Sequence, residues 1–286
     1  MLWWSKSRKA LIYLLETMES QHNSKKSTIR VMHNLGRSGG TLISKCLGCM
    51  KNIALLSEIH PDAQHAHSFN VINQAQQWFD LDKTIPWKTT DFLSALNTVK
   101  KHCLENNQQL FLRDWSYIDY FGMPVTNNPK NTPTLLNTLN DEFRILSVQS
   151  LRNPVDTWLS LRRLTLIKKA GVTPTKFINA YLIYLKKTAG NYRLLYENFL
   201  SNPNQELQNM CIALELEFDA EYESKWYHYQ NITGDLSNSS SLRETQTIKP
   251  RARRELNPDT LLEIEELKDS HAYSKILESI PEYNVT

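Results

Sequence analysis

The sequence predicts a three-layer α/β fold with a central, mainly parallel sheet and a helical C-terminal part. Apolar runs as short as buried strands alternate with segments of helical periodicity over much of the chain. That alternation is typical of right-handed β-α-β crossovers, which place helices on both faces of a parallel sheet. The 286 residues are 41% hydrophobic, which is enough apolar material for a substantial core. We therefore expect one domain over residues 1–286.

The individual elements follow from local patterns. Runs rich in β-branched and apolar residues predict five strands, at 28–33, 53–56, 110–112, 145–148 and 192–196. Apolar residues at helical spacing, several of them after a capping residue or a proline, predict helices at about 3–20, 91–103, 154–169, 173–188, 203–214 and 259–279. We expect the last of these helices to break near His271.

Charge and cysteine content exclude several function classes. The 33 Lys and Arg against 30 Asp and Glu give a net charge of +3, too small for the protein to attract nucleic acid or a membrane surface by its overall field. The apolar run at 10–15 is shorter than a signal-peptide core, so we expect neither a signal nor a transmembrane span. The four cysteines lack the spacing of a disulfide framework or a complete zinc site. We expect buried thiols in a reducing, cytoplasmic compartment.

A glycine-rich loop follows the first predicted strand. Its residues from Gly36 to Thr41 read GRSGGT and run into a helical pattern. Such a turn points backbone amides at one place beside the positive end of the helix dipole, which predicts an anion site. In the nucleotide-triphosphate pattern G-x-x-x-x-G-K-S/T, counted from Gly36, the lysine and the hydroxyl residue would fall on Leu42 and Ile43. The cation of this loop is instead Arg37, which disfavours an ATP-dependent kinase.

A second basic motif follows the fourth predicted strand. The segment from Ser150 to Arg163 reads SLRNPVDTWLSLRR. Arg152 directly precedes a predicted helix and Ser160 lies about two turns into it, a spacing that lets both side chains meet one phosphate. Together, the two motifs resemble those of the sulfotransferases that use 3′-phosphoadenosine 5′-phosphosulfate (PAPS), of the bacterial or tyrosylprotein-like type.

The resemblance implies a P-loop sulfotransferase-like fold with PAPS as donor and 3′-phosphoadenosine 5′-phosphate (PAP) as product. It assigns the 5′-phosphosulfate to the loop and the 3′-phosphate to Arg152 and Ser160. The residues assigned to the loop site are Gly36, Arg37, Ser38, Gly39, Gly40, Thr41 and Leu42. The stretch at about 231–254 is similar to a basic loop that covers the cofactor, with Arg243 and Arg251 as candidate contacts.

Some positions depart from the family pattern or match it without a chemical role. Gly40 stands where many members have serine or threonine, and Asn153 replaces the more usual aspartate. The segment that begins at Tyr196 with the letters YENFL resembles a Tyr-Glu-Asp-Leu segment that we interpret as structural. The middle region at 61–88 matches no part of the pattern.

The resemblance also implies the catalytic groups. Arg37 would neutralise charge on the leaving oxygen, while a general base must take the proton of the acceptor. Glu58 and His60, at the end of the second predicted strand, are the two candidates, and Glu58 is placed like the glutamate of tyrosylprotein-type enzymes. Arg113 is a candidate for contacting the sulfonate, with an ion pair to Asp114 as the alternative.

The leading hypothesis is therefore an enzyme that transfers a sulfuryl group, without a metal, to a hydroxyl or an amine. The acceptor would be a small molecule, a carbohydrate or a peptide, and its identity stays open. A P-loop kinase and a polyanion-binding protein that uses the basic residues at 243–254 are the alternatives. Aromatic residues that follow the third strand are expected to pack rather than bind; they are Trp115, Tyr117, Tyr120 and Phe121.

Overall fold

The centre of the protein is a five-stranded parallel sheet. The computed structural model describes residues 26–122, 125–126, 128–234, 247–250 and 256–285. Its strands are β1 (Thr28–Asn34), β2 (Ile53–Ile59), β3 (Gln109–Asp114), β4 (Arg144–Leu151) and β5 (Tyr192–Leu195). They lie in the order β2-β3-β1-β4-β5, and every neighbouring pair is parallel. The predicted α/β fold with a parallel sheet is confirmed.

Helices connect the strands and form the C-terminal part. They are α1 (Gly40–Gly48), α2 (Val71–Trp78), α3 (Phe92–Glu105), α4 (Tyr117–Phe121), α5 (Thr134–Leu139), α6 (Pro154–Leu161), α7 (Thr165–Lys169), α8 (Pro174–Lys187), α9 (Tyr196–Ser201), α10 (Pro203–Ala213), α11 (Tyr222–Lys225), α12 (Pro258–Lys268) and α13 (His271–Ser279). Short 3₁₀ turns occupy Pro61–Ala63, His67–Phe69 and Pro281–Val285.

The sheet separates two helical layers. On one face, α1 and α10 pack against a cluster that includes Met32, Phe111 and Val148. On the other face, α2 and α3 cover the alternate residues of the strands, among them Val31 and Leu112. A third cluster joins α4, α6, α8, α12 and α13 around aromatic side chains. Strands buried on both faces explain why the sequence shows continuous apolar runs instead of alternation.

The strand order brings the two predicted phosphate motifs together. β1 lies between β3 and β4, and its pairing with β4 runs from Thr28 opposite Arg144 to Asn34 opposite Ser150. The loop after β1 and the loop after β4 therefore leave the same edge of the sheet side by side. In open parallel sheets, the carboxyl ends of such strands form the crevice in which ligands bind.

Most predicted elements are present with small shifts in their ends. The helix predicted at 154–169 is two helices, α6 and α7, separated by a turn at 162–164. The predicted break near His271 is confirmed, because α12 ends at Lys268 and α13 begins at His271. The predicted N-terminal helix, Arg243 and Arg251 lie outside the described residues.

Two further expectations concern the cysteines and the membrane. All four cysteines are free thiols, but Cys49 is only half-buried, whereas the other three are buried. Burial raises the pKa of the Cys49 thiol to about 12, so that thiol stays protonated at neutral pH. None of the helices in the described part of the chain combines the length and the apolar character needed to cross a bilayer.

Candidate active site

The loop after β1 presents the open amino end of α1. Gly39 is the N-cap residue, with φ of 92°, and no side chain caps the helix. The first amides of a helix have no intrahelical partner, so those at Gly40, Thr41 and Leu42 are left for an anion. Arg37 also has a positive φ, 70°, an unusual conformation for a residue with a side chain. The loop therefore has the backbone form that an anion site requires.

Two glycines of this loop are required by close packing. A Cβ atom at Gly39 would overlap the ring of Tyr196. A Cβ atom at Gly40 would overlap the side-chain amide of Asn34, the last residue of β1. The departure from serine or threonine at position 40 thus has a physical reason, because Asn34 fills the space that a larger side chain would need.

The predicted 3′-phosphate residues lie directly beside the loop. Arg37 Nε donates a hydrogen bond to Ser160 Oγ at 2.9 Å. Arg152 donates from its guanidinium to the backbone oxygen of Arg37 at 3.0 Å. Arg37 and Ser160 are 123 residues apart in the chain, so the fold joins two motifs that the sequence keeps far apart.

Positive charge accumulates at this junction. Burial, followed by the like charges of Arg152 and Arg163, lowers the pKa of the Arg37 guanidinium. Within the described ranges, neither Arg37 nor Arg152 forms an ion pair with a carboxylate. Two arginines that have no paired carboxylate in the described part of the chain, with Arg163 nearby, suit a ligand with two or more negative charges.

Side chains from α8 and α9 pack beneath the junction. The Arg152 guanidinium lies over the ring of Tyr196, 5.2 Å from its centre. Glu197 Oε1 accepts from the amide of Asn153 at 2.9 Å, and the hydroxyl of Tyr181 donates to the backbone oxygen of Arg152 at 2.8 Å. Tyr196, which the sequence suggested was structural, is thus in contact with both halves of the site.

Asn153 performs the capping role that an aspartate would perform. Its Oδ1 accepts from the amides of Val155 at 2.9 Å and Asp156 at 3.4 Å, which caps the first turn of α6. A side-chain oxygen is all that this role needs, so the departure from aspartate leaves the geometry before Ser160 intact.

The ends of β2 and β3 form a second cluster. Glu58 Oε1 and the Arg113 guanidinium are joined by an ion pair of 2.8 Å. Arg113 also donates to Thr41 Oγ1 at 3.1 Å and to the backbone oxygen of Thr233 at 3.3 Å. Since Thr41 belongs to the anion loop, Arg113 connects the two clusters. The alternative in which Arg113 pairs with Asp114 is wrong.

Asp114 is occupied by other groups. Its Oδ2 lies 2.6 Å from His33 Nδ1 and accepts from Ser116 Oγ at 2.6 Å. This carboxylate faces the opposite side of β3 from Arg113, in agreement with the alternation of side chains along a strand.

Burial distinguishes the members of the Glu58 cluster. The Arg113 side chain is 2% exposed, whereas the Glu58 side chain is 20% exposed. Burial lowers the pKa of Arg113, and the charge of Glu58 opposes that shift. The carboxylate is therefore held by a buried cation and still reaches solvent, as a group that exchanges protons with a ligand must.

His60 has a different environment. It is completely buried, and its Nδ1 accepts from the amide of Asp62 at 3.1 Å. Its Nε2 lies 3.1 Å from Asp119 Oδ1, and Asp119 also accepts from the amide of Thr134 at 2.9 Å. Both ring nitrogens are engaged in the protein, which leaves Glu58 as the exposed member of the pair.

The aromatic residues after β3 mostly pack, as expected. Tyr117, Tyr120 and Phe121 are buried in the cluster around α8. Trp115 is partly buried, and its ring lies 4.2 Å from that of Phe69. Leu42 and Ile43, at the positions of the missing kinase residues, have their side chains in the core below α1. Leu42 can therefore serve an anion only through its backbone amide.

Solved structures with the same architecture are sulfotransferase domains. The sulfotransferase domain of the Synechococcus PCC 7002 olefin synthase aligns with a TM-score of 0.56 at 16% identity, over 86% of this chain and 96% of that chain. The fold is sulfotransferase-like. The sulfotransferase domain from the curacin biosynthetic pathway aligns with a TM-score of 0.53 at 14% identity, over 85% of this chain and 98% of that chain. No family model and no curated protein sequence matches this chain.

Proposed function

We propose that the protein is a sulfotransferase that takes the sulfuryl group of PAPS and transfers it to a hydroxyl or an amine. The observation that carries the proposal is the junction of Arg37, Arg152 and Ser160 beside the open amino end of α1. A helix N-terminus suits one phosphate and the arginine-serine pair suits another. Two anion sites in one crevice fit a bisphosphorylated nucleoside better than a linear triphosphate.

The residues present fit PAPS on chemical grounds. Gly39 supplies the left-handed turn that starts α1 with no side chain capping its first amides, and Gly40 lets this turn pack against Asn34. The amides at 40–42 and Thr41 Oγ1 would hold the 5′-phosphosulfate, while Arg152 and Ser160 would hold the 3′-phosphate. The predicted contact from Ser38 is not available, because its amide and its hydroxyl both donate to the backbone oxygen of Leu35. Arg243 and Arg251, outside the described residues, stay in the proposal as further contacts on the strength of the family resemblance.

When bound, PAPS supplies a sulfuryl group whose sulfur-oxygen bond to the phosphate breaks as a bond from sulfur to the acceptor oxygen or nitrogen forms. Arg37 lies between the two anion sites, where its charge can stabilise the oxygen that leaves. Arg113 is buried beside Thr41 and supplies a second positive charge, toward the sulfonate. Both cations are fixed in place by hydrogen bonds to this chain, which is the preorganisation that such stabilisation needs.

Glu58 accepts the proton that the acceptor loses. Arg113 holds its Oε1, so we assign Oε2 to the acceptor. This assignment follows the tyrosylprotein-like type of the family, in which a glutamate takes that role. His60 supports the same region by fixing the turn after β2 through Asp62 and Asp119.

A comparison of nucleotides tests the proposal. We expect PAP to raise the Tm of the protein, because a ligand that binds only the folded state stabilises it. ATP with magnesium should raise the Tm less, since Leu42 and Ile43 leave the loop without the kinase lysine. Arg152→Ala serves as the matched variant and should reduce the effect of PAP. A Tm that rises with ATP and magnesium but not with PAP would contradict the proposal and favour the kinase.

A further inference from the structure

Gln74 makes a two-sided contact with the residue that precedes Glu58. The amide of Ser57 donates to Gln74 Oε1 at 2.8 Å, and Gln74 Nε2 donates back to the backbone oxygen of Ser57 at 2.7 Å. The same Nε2 also donates to the backbone oxygen of Ser68 at 2.8 Å. Gln74 is 1% exposed. Its amide group is therefore fully used, and all of its partners are backbone atoms around the end of β2.

The contact occurs where β2 is irregular. β2 is an edge strand, and its pairing with β3 shifts register between Leu56 and Ile59. Edge strands leave backbone groups without a neighbouring strand, and a bulge leaves further groups unpaired. The side-chain amide of Gln74 gives Ser57 one donor and one acceptor, as a neighbouring strand would. The side chain of Gln74, on α2, thus pairs with backbone groups that the bulge leaves without a strand partner.

The bulge determines where Glu58 points. Glu58 has φ of 56°, in the left-handed region that residues with side chains seldom adopt. A conformation of this kind persists only where the surroundings enforce it. Ser57 is held on its other side as well, because its Oγ accepts from the amide of Thr233 at 3.1 Å. The backbone oxygen of Thr233 in turn accepts from Arg113, the partner of Glu58.

We propose that Gln74 is a positioning residue for the general base: it fixes the bulge at Ser57 and so directs the carboxylate of Glu58 toward Arg113 and the acceptor. This inference rests on the proposed function in that it takes Glu58 as the base. Gln74 itself touches no reacting atom. It belongs to the region at 61–88 that no motif explains, and it gives that region a role in the site.

Gln74→Leu is the variant that tests the role. Leucine is similar in size to glutamine but has neither of the groups that hydrogen-bond to the backbone of Ser57. The matched control is Gln76→Leu on the same helix, since the side chain of Gln76 bonds to the backbone oxygens of Asp82 and Ile85, each at 2.9 Å, and to no atom of β2 among the described residues. Gln74→Asn is the milder variant, because it keeps the uncharged amide on a side chain one methylene shorter and so weakens the contact with Ser57 without burying a charge.

Two measurements on the full chain decide the matter. The first is hydrogen exchange of residues 53–60 in the absence of nucleotide, which should be faster in Gln74→Leu than in wild type and unchanged in Gln76→Leu. The second is a double-mutant cycle with Glu58→Gln. We expect Gln74→Leu to lower kcat about 10-fold or more when Glu58 is present and less than about 2-fold when it is absent, with the affinity for PAP unchanged.

Equal losses of kcat in both backgrounds, or unchanged exchange at 53–60, would overturn the proposal. If Gln74→Leu does not fold, Gln74→Asn takes its place in both measurements, with an intermediate effect expected and the same outcomes decisive. Failure of wild type to bind PAP would instead refute the proposed function, and the exchange measurement would still report whether Gln74 fixes the bulge.

Discussion

The proposed donor side and the proposed acceptor side of the site are built in different ways. The donor side consists of two contiguous motifs, residues 36–42 and residues 152–160, and each motif follows a strand and makes a loop and the first turns of a helix. The acceptor side consists of single residues from four separate segments; they are Glu58, Gln74, Arg113 and Thr233. Anion binding depends on local backbone form, whereas the direction of one carboxylate depends on packing between distant segments.

Arg37→Ala would damage the donor side most. We expect kcat to fall about 1,000-fold, because the variant removes the cation that stabilises the leaving oxygen. Affinity for PAP should fall less, since the amides of α1 and Arg152 remain. Steady-state kinetics and calorimetry measure the two effects. Lys168→Ala, which removes a charge from the exposed surface of α7, is the control. A kcat near that of wild type would remove Arg37 from the mechanism.

Glu58→Gln tests the acceptor side with the next largest effect. We expect kcat to fall about 100-fold, since an amide cannot take the proton of the acceptor. The affinity for PAP should change little, because Glu58 lies apart from the arginine junction. The Tm should fall moderately, because the buried Arg113 loses its counter-charge but keeps an oxygen to which it can donate. Kinetics with saturating PAPS measure the loss.

His60→Ala is the comparison variant for Glu58→Gln and should show the opposite pattern. Its ring is buried and bonded at both nitrogens, so we expect a loss of about 2–3 kcal/mol in the free energy of unfolding. The kcat of the folded fraction should stay within a few-fold of wild type. If kcat falls as far as in Glu58→Gln while stability is retained, the general base is His60.

Gly40→Thr tests whether Asn34 fills the space beside the donor loop. The new side chain would meet the amide of Asn34, so we expect a loss of about 1–3 kcal/mol in stability and weaker binding of PAP. Asn34→Ala in the same chain should restore part of both, because it empties the space. Chemical denaturation and calorimetry measure the recovery. Additive losses in the double variant would show that the two residues do not share this space.

Glu197→Gln has the smallest expected effect. Glu197 lies beneath the donor side, where it accepts from the amide of Asn153. Burial raises the pKa of Glu197, so the folded protein binds its proton more tightly than the unfolded chain does. The contribution of this group to stability therefore falls as the pH rises through that range. The glutamine keeps an acceptor for the Asn153 amide and does not ionise. We expect the Tm of the variant minus the Tm of wild type to increase between pH 4 and pH 7, by about 4 °C or less.

Glu265→Gln removes the same charge from the exposed surface of α12 and is the matched control for Glu197→Gln. The Tm of Glu265→Gln should change with pH as the Tm of wild type does over this range. A Tm difference between Glu197→Gln and wild type that stays constant or shrinks with rising pH would contradict the assignment.

The same contrast explains how much the sequence could predict. Arg37, Arg152 and Ser160 can be predicted as candidates because their motifs follow a strand and combine glycine or proline with the start of a helix within a few residues. Glu58 and Arg113 were each predicted at a strand end, but their ion pair depends on the register between β2 and β3, which the bulge shifts.

Other parts of the acceptor side leave no local signal. Gln74 acts only because α2 packs beside an edge strand, and His60 is occupied by Asp119, which lies 59 residues away in the chain. Sequence patterns report which residues are neighbours along the chain, whereas these contacts join residues that are far apart in the sequence.

The most direct test of the central claim is the affinity of wild type and Arg152→Ala for adenosine 3′,5′-bisphosphate and adenosine 5′-monophosphate. With a 3′-phosphate held by Arg152 and Ser160, wild type should prefer the bisphosphate by about 30- to 150-fold, or about 2–3 kcal/mol. Arg152→Ala should lose most of that preference while it retains its affinity for the monophosphate. Equal affinities of wild type for the two nucleotides, or an unchanged preference in Arg152→Ala, would contradict the account.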